Sequence, residues 1–422
     1  MKPLRIGSEK SAPQSLQARR GLFVFVLSGM LGAVNLVHAQ RLTWLGVLPG
    51  GSFSGANGVS ADGTVVVGRA DIASGSYRAF RWTPSGGMQN LGTLGGDHSD
   101  AWGVSADGLV VVGEADSGAN LSRAFRWTQA GGMQNLGTLG GSASRAFGVS
   151  GNGSVVVGMA TNASERWRAF RWTQSGGMQN LGTLGGDYSA ALGVSADGAT
   201  VVGEADNASD YSRAFRWRQS GGMLNLGVLQ GGDYSGAYGV SSDGNVVVGE
   251  SYNSQQRTRA FRWTQAGGMQ SLGTLGGSES GAAGVSADGA IVVGWADDAS
   301  NTQNAFRWTQ SGGMQNLNTL YPYLLADGSR LINANAISPD GRYIVGNGYN
   351  AATGRDEAYL LDTRCTPRNG DVNGDGCVDD ADLLAVLFAF GATGVNPSDV
   401  NCDGTVDDAD LLVVLFNFGS GC

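Results

Sequence analysis

Residues 91–135 read LGTLGGDHSDAWGVSADGLVVVGEADSGANLSRAFRWTQAGGMQN, and the same text restarts at Leu136, Leu181, Leu226 and Leu272. The unit starting at Leu226 carries one extra residue. An earlier copy starts at Leu45, and a degenerate one starts at Leu317 and ends near Thr363, which makes seven units. Each unit offers four short strand signals. The first is AxGVS (101–105), followed by an ADG turn whose glycine supplies a positive φ. The second is the VVVG run (110–113), the third RAFRWT (123–128) and the fourth, after a GG turn, MQNLGTL (133–139). β-Branched and aromatic enrichment with Gly, Asp and Ser punctuation favours strand over helix. The VVV run is apolar on both faces, which fits a sheet sandwiched between two like sheets.

Four strands per ~45-residue repeat is the arithmetic of a propeller blade. The ends of the repeat region agree with it. Residues 41–48 (RLTWLGVL) match only a fourth strand, and 335–363 supply only the first three. The N-terminal strand therefore joins the final three and closes the ring, removing two sheet edges. The expected fold class is all-β, a seven-bladed β-propeller over 40–364, followed by a small α-helical domain over 365–422. An open β-solenoid is the competing architecture, but it does not need complementary fragments at its two ends.

The chain holds 71 glycines in 422 residues against a usual ~7 %. With only 8 prolines and no Gly-X-Y period, collagen is excluded. Hydrophobic residues make up 41 %, enough for a packed core. The formal net charge is -9, which argues against a nucleic-acid partner. Both lysines lie in the first ten residues, and His98 is the only histidine beyond residue 39. Residues 1–20 are polar and basic and end in Arg19-Arg20; 21–37 are apolar, and Val37-His38-Ala39 precedes Gln40. This pattern predicts a signal peptide over 1–39, cut after Ala39, with no membrane span afterwards. The expected location is secreted, extracellular or at the cell surface.

The recurring AFRWT…GGMQNLGTLGG…GVSADG…VVVG resembles the HAF-type bacterial extracellular repeat over roughly 42–363. The resemblance implies an exported repeat protein and no established reaction. Within the units, Arg81, Arg126, Arg171, Arg216, Arg262 and Arg307 recur, as does a turn Asp at 62, 107, 197, 243, 288 and 340, with Asn152 in the third copy. One Arg–Asp pair per blade is expected to fix blade geometry, and Phe80, Trp82 and their copies to form blade core. Function is expected where the copies differ, in the loops after VVVG and after LGTLGG. Those loops present Asp97, His98, Trp167, Asp187, Tyr188, Tyr211, Asp233 and Tyr234, a set that suits a glycan or a protein partner. No HExxH, GxSxG or P-loop pattern appears, so a non-enzymatic role is expected. A polysaccharide-acting propeller and a purely structural surface protein stay open as alternatives.

From Cys365 to the end there are ten Asp and one basic residue, Arg368. Two loops share one spacing. Asp371, Asn373, Asp375, Cys377, Asp379 and Asp382 occupy positions 1, 3, 5, 7, 9 and 12 of the first. Asp399, Asn401, Asp403, Thr405, Asp407 and Asp410 do so in the second. Oxygen at these offsets, with a backbone carbonyl at position 7 and glycine at position 6, predicts two Ca²⁺ ions. Each loop leads into an apolar helix, DLLAVLFAF or DLLVVLFNF. The duplication, the Asp at position 12 and the DLL start resemble a type I dockerin over about 371–420. That resemblance implies docking on a cohesin-like protein or cell-surface scaffold, with Asp380, Ala381, Asp408 and Ala409 at the positions that contribute to partner choice. A self-contained calcium-stabilised cap is the alternative. The four cysteines, Cys365, Cys377, Cys402 and Cys422, suggest two disulfides, and three connectivities stay open.

Overall fold

The computed structural model describes residues 40–364, 369–392, 396–402 and 405–422. The signal peptide expected at 1–39, and Cys365 and Asp403, lie outside the described residues. Seven four-stranded antiparallel sheets are present. Six are consecutive in sequence, from 54–90 for blade 1 to 276–316 for blade 6. The seventh combines Arg41–Trp44 with Arg330–Ile337, Tyr343–Asn350 and Arg355–Asp362. Its register runs from Arg41↔Asp362 to Trp44↔Tyr359, so the N-terminal strand closes the last blade as the sequence predicts. The first strand of every blade touches the first strand of the next, and Arg330–Ile337 touches Ser54–Val59 to complete the ring.

The second and third strands bury the blade core. Phe80, Phe125, Phe170, Phe215, Phe261 and Phe306 are fully buried, and the VVV residues pack from the other side. The glycine that ends VVVG is fixed by a bulge. In blade 4 the register slips between Ala191 and Gly193, and this drives the Ala190 carbonyl onto Gly203. A Cβ on Gly203 would sit 1.9 Å from that oxygen. Only glycine lets the bulged inner strand approach so closely.

The fourth strand is shorter than the sequence suggests. In blade 2 it covers Gly132–Asn135 and stops before Leu136. Asn135 Oδ1 accepts the Gly137 N–H at 2.8 Å and turns the chain, while Leu136 is buried. The freed LGTL segment serves the next blade. In the first such junction, buried Ser99 donates to the Gly92 carbonyl at 2.6 Å and accepts the Ala79 N–H at 2.9 Å. Ser54, Ser144, Ser189, Ser235 and Ser280 repeat this staple.

Among the described residues, no ion pair joins an FRW arginine to a turn aspartate. Asp107 caps its own turn, accepting from Ser105 Oγ and from the Leu109 N–H at 3.0 Å, and these bonds hold its carboxyl below the usual range. In blades 3 and 5 the arginine of FRW reaches the following blade's turn through a glycine carbonyl instead: Arg171 Nε to Gly198 O and Arg262 Nε to Gly289 O, both 3.3 Å. Asp is consumed locally because an Asx cap forms within the turn itself.

In the C-terminal segment, helices Asp380–Ala389 and Asp408–Asn417 each start with a reciprocal capping box, Asp379 with Asp382 and Asp407 with Asp410. Val372, Val378, Val386, Val400, Val406 and Val414 form a small core with matching members from the two halves. Each loop is latched to the end of the other half: Val378 N–H donates to Ser420 O, and Val406 N–H to Ala392 O. Cys377 and Cys422 are joined by a disulfide, and Cys402 is also disulfide-bonded. Among the described residues no helix is long and apolar enough to cross a membrane.

Candidate functional site

The two variable loops do meet, because an arginine before Ala-Phe in the first five blades ties them; the sixth has Asn304 there. Arg78 Nη1 donates to the Asp97 carbonyl of the next blade, Arg123 to Ser142, Arg168 to Asp187, Arg213 to Asp233 and Arg259 to Ser278. The predicted ligand residues sit along this face, but most are engaged locally. His98 Nδ1 accepts the Tyr77 N–H at 3.3 Å, beside exposed Asp97. Asp187 forms an ion pair with Arg166. Trp167 lies under Arg145, and Tyr211 under Arg213 at 5.2 Å. Asp233 is exposed in blade 5. The structure brings Tyr188 and Tyr234 together, both on the carboxylate of Glu204, at 3.0 Å each. The remaining residues are spread over blades 2 to 5.

Glu204 belongs to a set that the variable-loop reading misses. The residue after VVVG faces the inner strand of the following blade. Arg69 meets Asp100 there at 3.2 Å, and Glu114 meets Arg145 at 2.9 Å. The next partners are Met159 and Ala190, both buried. Then the pattern changes: the positions matching Asp100 and Arg145 in blades 5 and 6 are Gly236 and Gly281. A Cβ on Gly236 would lie 3.0 Å from Glu204 Oε2, and one on Gly281 would lie 3.0 Å from Glu250 Oε2. Hydroxyls fill the space. Tyr238 donates to Glu250 Oε1 at 2.8 Å, and its oxygen lies 3.3 Å from that of Tyr234. Burial pushes the Glu204 and Glu250 carboxyls up, against the tyrosine hydrogen bonds. Burial also raises Asp100 to about 7, against the pull of Arg69, and its Oδ1 has no partner among the described residues. Alignment of the units at the residue after VVVG carries this signal, because Arg69, Glu114, Glu204 and Glu250 place charge there while Met159 and Trp295 do not.

A cavity of about 590 Å³ runs along the axis. Its wall repeats one variable residue, one glycine or alanine, and one valine or isoleucine per blade. The glycines let seven inner strands crowd the axis; a Cβ on Gly193 would meet the Tyr238 carbonyl at 2.6 Å. The variable residues form an aromatic and aliphatic arc, Trp102, Phe147, Leu192 and Tyr238, facing Ala283, Asn335 and Asn57. Trp102 and Phe147 meet edge to face at 5.9 Å. The amides of Asn57 and Asn335 donate to the carbonyls of Ala101 and Ala56.

In the tail, the position-12 carboxylates are buried and bind their own loops. Asp382 accepts the N–H groups of Val372, Asn373 and Asp379 at 2.7–3.0 Å, and Asp410 accepts those of Asn401 and Asp407. Asp371 accepts the Gly374 and Gly376 N–H groups, with Gly376 at φ +92. Among the described residues, no three or more His, Cys, Asp or Glu side chains gather into a metal-holding group. The donors are nevertheless the hard oxygens that Ca²⁺ takes, and Asp382 Oδ2, which accepts one N–H, keeps a second lone pair. The residues that would hold Ca²⁺ are those at positions 1, 3, 5, 7, 9 and 12. The helices leave an apolar edge in each half: Phe388 is 86 % and Phe416 83 % exposed, flanked by exposed Leu384, Leu387, Leu412 and Leu415. Asp380 and Ala381, and Asp408 and Ala409, are exposed on the first turns of these helices.

No family model matches the chain, and no curated protein does. Among solved structures, putative TolB from Agrobacterium tumefaciens is 14 % identical with a TM-score of 0.43, covering 74 % of this chain and 90 % of that one. The β-propeller domain of the Trilobed protease from Pyrococcus furiosus is 10 % identical with a TM-score of 0.49, covering 74 % and 96 %. Hydrazine synthase from Kuenenia stuttgartiensis is 11 % identical with a TM-score of 0.42, covering 78 % and 98 %. These are similarities of backbone architecture and carry no functional argument.

Proposed function

We propose that this is an exported, non-enzymatic binding protein whose seven-bladed propeller is displayed by a calcium-stabilised docking tail. The observation that carries the docking reading is the duplicated apolar edge, Leu384, Leu387 and Phe388 in one helix and Leu412, Leu415 and Phe416 in the other. A 50-residue segment with so small a valine core gains stability by burying such side chains, and two matched edges on one segment suit a partner protein. Asp380, Ala381, Asp408 and Ala409 share the exposed side of these helices and would contribute to partner choice. The HAF-like repeats and the dockerin-like loops support export and a cohesin-like or cell-surface scaffold partner. Two Ca²⁺ ions at the loops would offset part of the charge of the ten aspartates and hold the helix starts in place. The variable propeller face, including Asp97, His98 and Tyr211, would meet a glycan or protein ligand.

The test is capture of a cohesin-like scaffold domain by the mature chain, with and without chelator, beside a Phe388→Ser/Phe416→Ser variant. Capture that needs Ca²⁺ and fails in the variant supports the reading. Equal capture under all conditions, or none, overturns it.

A further inference from the structure

The inner ring of the propeller is unbalanced in charge on one side. In blades 1 to 3 each carboxylate of this ring has an arginine, Arg69 for buried Asp100 and Arg145 for half-buried Glu114. Glu204 and Glu250 have glycine at the positions where that arginine would stand, and among the described residues neither joins an ion pair. Two arginines thus face four carboxylates. No lysine occurs among the described residues. Burying a charge without a counter-charge is costly, so a cation gains by approaching this side.

We propose that the central channel binds an organic ammonium ion. Tyr238 connects the charge to the cavity: it lines the wall, donates to Glu250, and touches Tyr234, which donates to Glu204. Trp102 and Phe147 complete an aromatic arc on the same wall. Aromatic faces attract an ammonium ion and tolerate its alkyl groups, which a metal ion lacks. Across the channel, Asn57 and Asn335 each donate one amide N–H to a neighbouring carbonyl, and their amide oxygens are acceptors. A cavity of about 590 Å³ admits a small alkylammonium ion. This site is separate from the tail, and its failure would leave the docking reading untouched.

The probe is choline, titrated calorimetrically into the mature full chain at constant ionic strength, beside its neutral isostere 3,3-dimethylbutan-1-ol. Choline is expected to saturate one site and to bind about tenfold more tightly than the alcohol, the scale of a desolvated cation–π contact. Glu204→Gln/Glu250→Gln is expected to weaken choline by about tenfold. Ala283→Trp, which fills the channel from the facing wall, is expected to abolish binding without touching either carboxylate. Circular dichroism checks that both variants fold. No saturable choline binding, equal affinity for the alcohol, or binding unchanged in Ala283→Trp would overturn the proposal.

Discussion

Asp100→Asn should stabilise the propeller near pH 8 and leave it almost unchanged near pH 4. Asp100 is 8 % exposed between blades 1 and 2, and burial raises its carboxyl from 3.8 to about 7 although Arg69 stands 3.2 Å away. Between these two values the folded chain keeps a proton that the unfolded chain has released. Folding therefore takes up a proton in that window, and stability falls as pH rises through it. The favourable contribution is complete below the unfolded value and gone above the folded one. At ~1.4 kcal/mol per unit, the shift sets an upper bound of about 4 kcal/mol on the loss. Asparagine has nothing to titrate. The pull of Arg69 is already part of that shift, and the asparagine carbonyl can still accept from its guanidinium. The variant should therefore exceed the parent by about 1–3 kcal/mol near pH 8, with the gap closing toward pH 4. Guanidinium unfolding of both proteins across this range measures the gap. A variant less stable at pH 8, or a gap that does not change with pH, would show that Asp100 is ionised and satisfied in the folded interface.

Two further predictions concern the blade and the tail. Gly203→Ala should cost about 3 kcal/mol or prevent folding, because its Cβ would sit 1.9 Å from the Ala190 carbonyl; a denaturation midpoint like the parent's would refute the bulge geometry. Calorimetric Ca²⁺ titration of the mature chain should give two sites, both lost in Asp371→Ala/Asp399→Ala; an unchanged heat profile in that variant would place Ca²⁺ elsewhere or nowhere.

The repeat text alone determined the ring. Period, strand number and the complementary fragments at 41–48 and 335–363 are local properties, and each blade copies the same local answer. The buried Phe of FRW was legible for the same reason, since an aromatic repeated in every strand has one place to go. Other positions depended on what a neighbouring blade presents. The LGTL segment reads as strand, yet it turns away because Ser99 and its copies take the Gly carbonyl from the next blade. The turn Asp and the FRW Arg recur together, yet they do not pair, because the Asx cap closes within the turn before the arginine can reach it. Tyr188 and Tyr234 read as exposed platforms, yet they fold inward onto Glu204, since Gly236 leaves room for a hydroxyl beside the carboxylate. Composition and spacing fixed which residues vary, whereas only the packing of one blade on the next decided which of those variations face solvent, a neighbour or the channel.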